Sequence, residues 1–131
     1  MEFTKVKYQD LSARQKENYN FHKIAAFLAE YGYNSIRLTD DYKGADFLAV
    51  HTEGDTILKI QLKGRFTIDK KYLNKSIWVA FIEQGKIYLY DHDKLVKKLK
   101  ENITQSTSWS DNGSYSWNKT PEYYKQYMIK F

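Results

Sequence analysis

From residue 44 to residue 65 the chain reads GADFLAVHTEGDTILKIQLKGR, two strand-forming runs on either side of a Glu53-Gly54-Asp55 turn. Successive side chains point to opposite faces of a strand, so Leu58, Ile60 and Leu62 face one way while Gln61 and Lys63 face the other. One face belongs to a core; the other carries chemistry. With the first run as its neighbour, the carboxylate of Asp46 joins an amide oxygen and an ammonium group. That combination suits a hard divalent cation beside a positive charge directed at phosphate, and so points to phosphodiester cleavage.

The flanking segments supply the rest of a sheet and its cover. Residues 12 to 31 read as a helix capped by Ser12 and ended by Gly32, with Phe21, Ile24, Ala25, Leu28 and Tyr31 recurring at three- and four-residue steps. One helical step back from Phe21 lies Glu17, a carboxylate near the buried edge of that helix. Strands are expected at about 34 to 38, 45 to 51 and 56 to 63, forming a meander. The apolar run SIWVAFI at 76 to 82 suits a central strand covered on both faces. Gln84-Gly85 turns into a fifth strand from Lys86 to Tyr90, after which Asp91 or Asp93 caps a short basic helix ending near Glu101. Asn112-Gly113 predicts a hairpin in which Trp109 lies across from Tyr115 and Trp117, and Pro121 begins a terminal helix carrying Tyr123, Tyr124 and Tyr127.

At 131 residues the chain is read as a single domain, residues 1 to 131. Its formal charge of +5 favours polyanionic partners without naming one. The absence of cysteine removes disulfides, thiolate zinc sites and cysteine nucleophiles. His22, His51 and His92 show no metal-ligand spacing and are read as surface or capping residues. No signal-type or membrane-length apolar run occurs in the sequence, so no membrane partner and a cytoplasmic location are expected.

The order of a helix with Glu17, a strand with Asp46, a strand with Gln61-x-Lys63, then a further strand resembles the PD-(D/E)xK nuclease superfamily, the restriction-endonuclease-like fold with a Holliday-junction-resolvase-like core. The likeness covers residues 12 to 91 as a topology and a few positions as identities. It implies an α/β (α+β) fold with an αβββαβ-type core, a central mixed sheet flanked by helices, and a C-terminal aromatic hairpin and helix. Asp46 matches the family Asp, Gln61 the second ligand position, Lys63 the family Lys and Glu17 the first-helix acid. Two departures stand out: Ala45 replaces the usual Pro, and Gln61 replaces the usual carboxylate. The neutral Gln61 oxygen leaves most of the attraction for a cation to Asp46.

The resemblance further implies Mg2+ or Mn2+ held by Asp46, Gln61, the Leu62 backbone carbonyl and Glu17, with Lys63 stabilising negative charge as a DNA phosphodiester is hydrolysed. DNA is favoured over RNA, and a homodimer agrees with a family that often cuts two strands. Arg65 is read as a phosphate contact, and Lys70, Lys71 and Lys75 as a nucleic-acid rim or a solvated loop. Three alternatives stay open: a catalytically inactive nucleic-acid-binding module of the same fold, a basic subunit that binds an acidic protein partner through its Lys-rich surface, and, for Lys59, Gln61 and Lys63, the solvated face of an edge strand. Trp109, Tyr115 and Trp117 either stack on unpaired bases or close a core.

Overall fold

The computed structural model describes residues 1–131, the side chain of Asp41 excepted. After a 3-10 turn at Tyr8–Asp10, helix α1 spans Ala13–Glu30. Ser12 and Gln15 close a capping box: the Ser12 hydroxyl accepts from the Gln15 N–H at 3.2 Å, and Gln15 Oε1 accepts from the Ser12 N–H at 2.8 Å. This fixes the first turns of α1, which carry Lys16 and Glu17. Phe21, Ile24 and Leu28 form its buried stripe, and Gly32 turns the chain at a φ of +84°, where an added Cβ would meet His51 Nε2 at 3.0 Å.

The strands are β1 (Tyr33–Tyr42), β2 (Ala45–His51), β3 (Ile57–Leu62), β4 (Thr67–Asp69), β5 (Ile77–Glu83), β6 (Lys86–Asp91), β7 (Ser114–Ser116) and β8 (Ile129–Lys130). Six of them make a mixed sheet in the order β1-β2-β3-β5-β6-β8. The β3–β5 pair is parallel and the other pairs are antiparallel. β3 therefore lies inside the sheet, which removes the edge-strand reading of Lys59, Gln61 and Lys63. A parallel neighbour needs a crossover, and here β4 and a 3-10 turn at Lys70–Tyr72 supply it, β4 pairing with β7 in a small second sheet.

Two apolar layers cover the large sheet. On one side Phe21, Ile24 and Leu28 of α1 pack with Phe47, Ala49 and Ile60. On the other, Phe66, Ile68 and Tyr72 of the crossover pack with Ile77, Val79, Phe81 and Tyr90, closed by Trp109 and Tyr124 from the C-terminal segment. Each side chain of this size that is fully buried stabilises the fold by ~1.5–3 kcal/mol. The sheet in which β2 and β3 are inner strands is thereby covered on both faces.

The C-terminal segment departs from expectation. The turn at Asn112-Gly113 is present, but its first arm is a short helix, α4 (Thr107–Ser110), rather than a strand. Ser106 caps it by accepting from the Trp109 N–H at 3.2 Å, so Trp109 is buried from a helix and does not face Tyr115 across a hairpin. Trp117 stacks on Phe66 with centroids 4.1 Å apart, so the aromatics close a core. The basic segment after β6 breaks into α2 (His92–Val96) and α3 (Glu101–Thr104), and Pro121 sits one position before α5 (Glu122–Lys125), leaving Tyr127 beyond its end. No helix among the described residues is long and apolar enough to cross a membrane.

Candidate active site

The β1–β2 ladder breaks opposite Asp46. Paired residues run from Tyr33↔His51 to Arg37↔Phe47 and resume at Tyr42↔Ala45, so residues 38 to 41 of β1 stand against Asp46 alone. Lys43 and Gly44, with φ of 51° and 91°, form the two-residue turn that brings the chain back. On the other flank, the β2–β3 pairing reaches Phe47↔Ile60, whereas β3 stays with β5 to Leu62↔Ala80, and the Lys63 N–H donates to the Ala80 carbonyl at 3.0 Å. The end of β3 thus follows β5, and the Asp46 side chain takes over from the ladder: its Oδ2 accepts from the Leu62 N–H at 2.8 Å. A charge-assisted bond of this kind stabilises by ~1.5–3 kcal/mol and fixes one carboxylate oxygen in place.

A cleft of about 540 Å³ opens at this point, lined by Asp46, Gln61, Leu62, Lys63 and, from α1, Glu17. Asp46, Gln61 and Lys63 are half-buried, and Glu17 is exposed on the rim. Gln61 Nε2 donates to the Leu62 carbonyl at 3.4 Å, a long contact that uses one of that oxygen's two lone pairs and leaves Gln61 Oε1 a separate acceptor. The Lys63 ammonium lies 5.4 Å from the centroid of the Tyr72 ring. Tyr72 is buried, and that burial raises its hydroxyl above the usual phenol range, with Lys71 opposing and Asp69 and Asp46 reinforcing the shift. The ring beneath Lys63 is therefore a neutral phenol offering its π face.

The sequence reading missed Lys16, Asn20, Arg37 and Tyr8, which line the same cleft. Arg37 Nη1 donates to Asn18 Oδ1 at 2.6 Å, and the guanidinium lies 5.0 Å from the Phe21 ring, so the fork is held before any ligand arrives. A second depression of about 590 Å³ continues from there between α1 and β1, adding Arg14 and Thr39 and sharing Glu17 and Arg37 with the first. By contrast, Arg65, Lys70, Lys71 and Lys75 do not line the cleft. Arg65 bonds Asn118, Lys70 lies over Trp109 and donates to the Ser110 carbonyl at 3.4 Å, and Lys71 pairs with Asp69 at 3.9 Å. Lys75 belongs to a separate depression.

His92 supports the Tyr72 side of the site. Its ring is fully buried, its Nε2 accepts from the Asp69 N–H at 3.1 Å, and its edge meets Tyr72 with centroids 5.5 Å apart. Nδ1 therefore carries the proton, and the Asp93 carboxylate, 3.9 Å away, is too distant to accept it. Burial lowers the His92 pKa below the usual imidazole range, with the charges of Asp93, Asp69 and Asp91 opposing. A depressed imidazole stabilises the fold fully above the unfolded value of about 6.5, and that stability is lost as pH falls toward the folded value. The thermal midpoint is expected to fall as pH drops below about 6.5. His92→Gln should flatten that dependence; an equally steep fall in the variant would show that His92 is not its source.

Strands in this order, with a parallel pair at the centre, α1 on one face and the crossover on the other, make an endonuclease-like α+β fold. The same fold occurs in a solved bacterial homing endonuclease, I-Ssp6803I, with a TM-score of 0.53 and 13% identity over 89% of this chain and 86% of that one. At that identity the likeness is one of fold. No family model matches the chain, and no curated protein matches it by sequence.

Proposed function

We propose that the protein is a metal-dependent nuclease of PD-(D/E)xK type that hydrolyses DNA phosphodiester bonds at the cleft where β2 and β3 part. One observation carries this reading: Asp46, Gln61, the Leu62 segment, Lys63 and Glu17, from three separate elements, line a single open cleft. The fold shared with a homing endonuclease supports DNA as the substrate.

Among the described residues no three His, Cys, Asp or Glu side chains gather to form a closed metal cage. Magnesium does not require one, because it commonly keeps several waters and takes one or two carboxylates together with substrate phosphates. The donors here fit that habit: Asp46 for charge, Gln61 Oε1 and the Leu62 carbonyl as neutral oxygens, and Glu17 from the rim, directly or through water. A bound Mg2+ or Mn2+ supplies Lewis-acid polarisation of the phosphoryl group and a more acidic water.

The chain's own groups do the remaining work. The Leu62 N–H holds Asp46 by one oxygen, so the carboxylate does not need to reorganise on binding. Lys63, over the Tyr72 ring, stabilises charge that builds on the phosphoryl oxygens or orients the attacking water. Arg37 and Lys16 hold neighbouring phosphates and set the strand across the cleft.

The test is incubation with single-stranded, duplex and branched DNA in Mg2+ or Mn2+. Shortened fragments are expected with either ion and none in chelator. A second reading, a binding module without turnover, is favoured by the neutral Gln61. Salt-sensitive binding of DNA with no fragment formed in either ion would select it and reject the nuclease.

A further inference from the structure

We propose that a separate notch formed by Lys43, Lys59 and Lys75 binds a backbone phosphate of the same nucleic-acid strand, away from the point of hydrolysis. The proposal rests on the reading of this protein as one that acts on nucleic acid, and it names where that strand is held.

Three lysines come from three places in the fold: the β1–β2 turn, the middle of β3, and the connection between the 3-10 turn and β5. With Asn74 and Ser76 they line one shallow depression of about 340 Å³. Like charges brought together raise the free energy of the protein unless an anion sits among them. Among the described residues no carboxylate forms a salt bridge with Lys43, Lys59 or Lys75; Lys43 has a contact with the Tyr42 ring at 5.4 Å. The Asp93 carboxylate lies at the rim, both oxygens accepting from the N–H of the notch residue Asn74 at 3.1 Å, so one negative charge stands against three lysines. Three lysines against one carboxylate leave the notch with a net positive charge that a phosphate would offset.

The backbone points the same way. Asn74 and Ser76, on either side of Lys75, adopt φ of 60° and 55°, and Lys43 has φ of 51°. The hairpin turn accounts for Lys43, and Asn tolerates this region, but no turn glycine relieves Ser76. Ser76 closes the turn at residues 73 to 76 that leads into β5, and that turn sets Asn74, Lys75 and Ser76 at the notch. Lys59 is anchored from both sides, paired with Leu48 of β2 and Ile77 of β5, so the notch is built on a rigid strand rather than a loop alone.

Position identifies the ligand. Lys59 lies on the same face of β3 as Gln61 and Lys63, ~13 Å along the strand from Lys63 at ~3.3 Å per residue. A nucleic-acid strand covers that separation in about four nucleotides at ~3.4 Å of axial rise each. No aromatic ring lines the notch to stack on a base, while Ser76 and Asn74 add polar side chains to the ammonium groups. The site would therefore read phosphate charge without reading sequence.

The experiment measures binding without chemistry. The full chain is titrated with a fluorescently labelled DNA duplex in chelator, across a salt series, as wild type and as K43Q/K59Q/K75Q. A charge-matched control carries K86Q/K97Q/K130Q. The notch variant is expected to bind about tenfold more weakly at low salt, with the slope of log affinity against log salt shallower by ~0.9 for one lost phosphate contact. The control should keep the wild-type slope. Equal slopes in both variants would reduce the effect to net charge and overturn the proposal, as would absence of DNA binding by the wild type. Because no metal is present, loss of slope in a protein that never cuts DNA would sustain the notch and reject the nuclease. Normal cutting with an unchanged slope would do the reverse.

Discussion

Asp46→Asn is expected to lower DNA cleavage by ~10³-fold, on the scale of removing a principal electrostatic contributor from a hydrolytic site, while the protein stays folded. The substitution separates two roles of one side chain. Asn keeps a carbonyl oxygen that can accept from the Leu62 N–H, so the bond that replaces the β2–β3 ladder survives. What it loses is the negative charge, and with it an attraction to a divalent cation of order a few kcal/mol in a half-exposed cleft. Asp46→Ala removes both and leaves the Leu62 N–H without its acceptor, at a further cost of ~1–3 kcal/mol in stability. Two measurements are needed: turnover of DNA, and Mn2+ affinity from its effect on water relaxation. The Asn variant should lose both with little change in thermal midpoint. Cleavage within tenfold of wild type in folded Asp46→Asn would remove Asp46 from the site.

The parts of this site that were legible in the sequence are those governed by a short period. Gln61 and Lys63 declare a shared face because strand alternation is local, and the neighbouring apolar residues mark the opposite one. Glu17 was reachable by a single helical step from Phe21, although the side chain lies at an exposed rim rather than on the buried stripe. Arg37 and Lys16 gave no such signal: each is a lone cation on its own element, and they meet the β3 end through tertiary packing alone. Tyr72 was hidden in the run KKYLNK, whose charges suggested a nucleic-acid rim or a solvated loop, yet its ring is buried beneath Lys63.

The same distinction explains the fold. α1 carries a capping box and a long apolar stripe, and β5 is an apolar run, so both could be read. β4 and β8 are three and two residues long, too short for alternation to register. β1 was expected to stop at about residue 38; the TDDY stretch that continues it has no apolar face to mark it, and it is the bulged stretch that breaks the ladder opposite Asp46. Bulges beside sites re-aim side chains, so the least regular part of the strand is the part that shapes the cleft. For Trp109, the strong Asn112-Gly113 turn signal pointed to a hairpin, while Ser106, which caps α4, stands among other serines and threonines and gave no distinct signal.

Lys63→Met tests the other half of the site, and its expected signature differs from that of Asp46. Methionine keeps an unbranched apolar stem that can lie against Tyr72, so packing over the ring is largely retained while the ammonium is removed. The lost cation–π contact is worth only ~0.5–1 kcal/mol, too little to unfold the protein. A group that acts on charge developing in the transition state should affect turnover far more than binding, so a ~10²–10³-fold fall in kcat is expected with DNA affinity reduced only as one phosphate contact requires. Mn2+ affinity should hold at the wild-type level or rise, since a neighbouring positive charge has gone. Loss of Mn2+ binding in Lys63→Met would mean that Lys63 supports the geometry of the site instead. Wild-type turnover would mean that this ammonium, although it lines the same cleft as Asp46, takes no part in the chemistry.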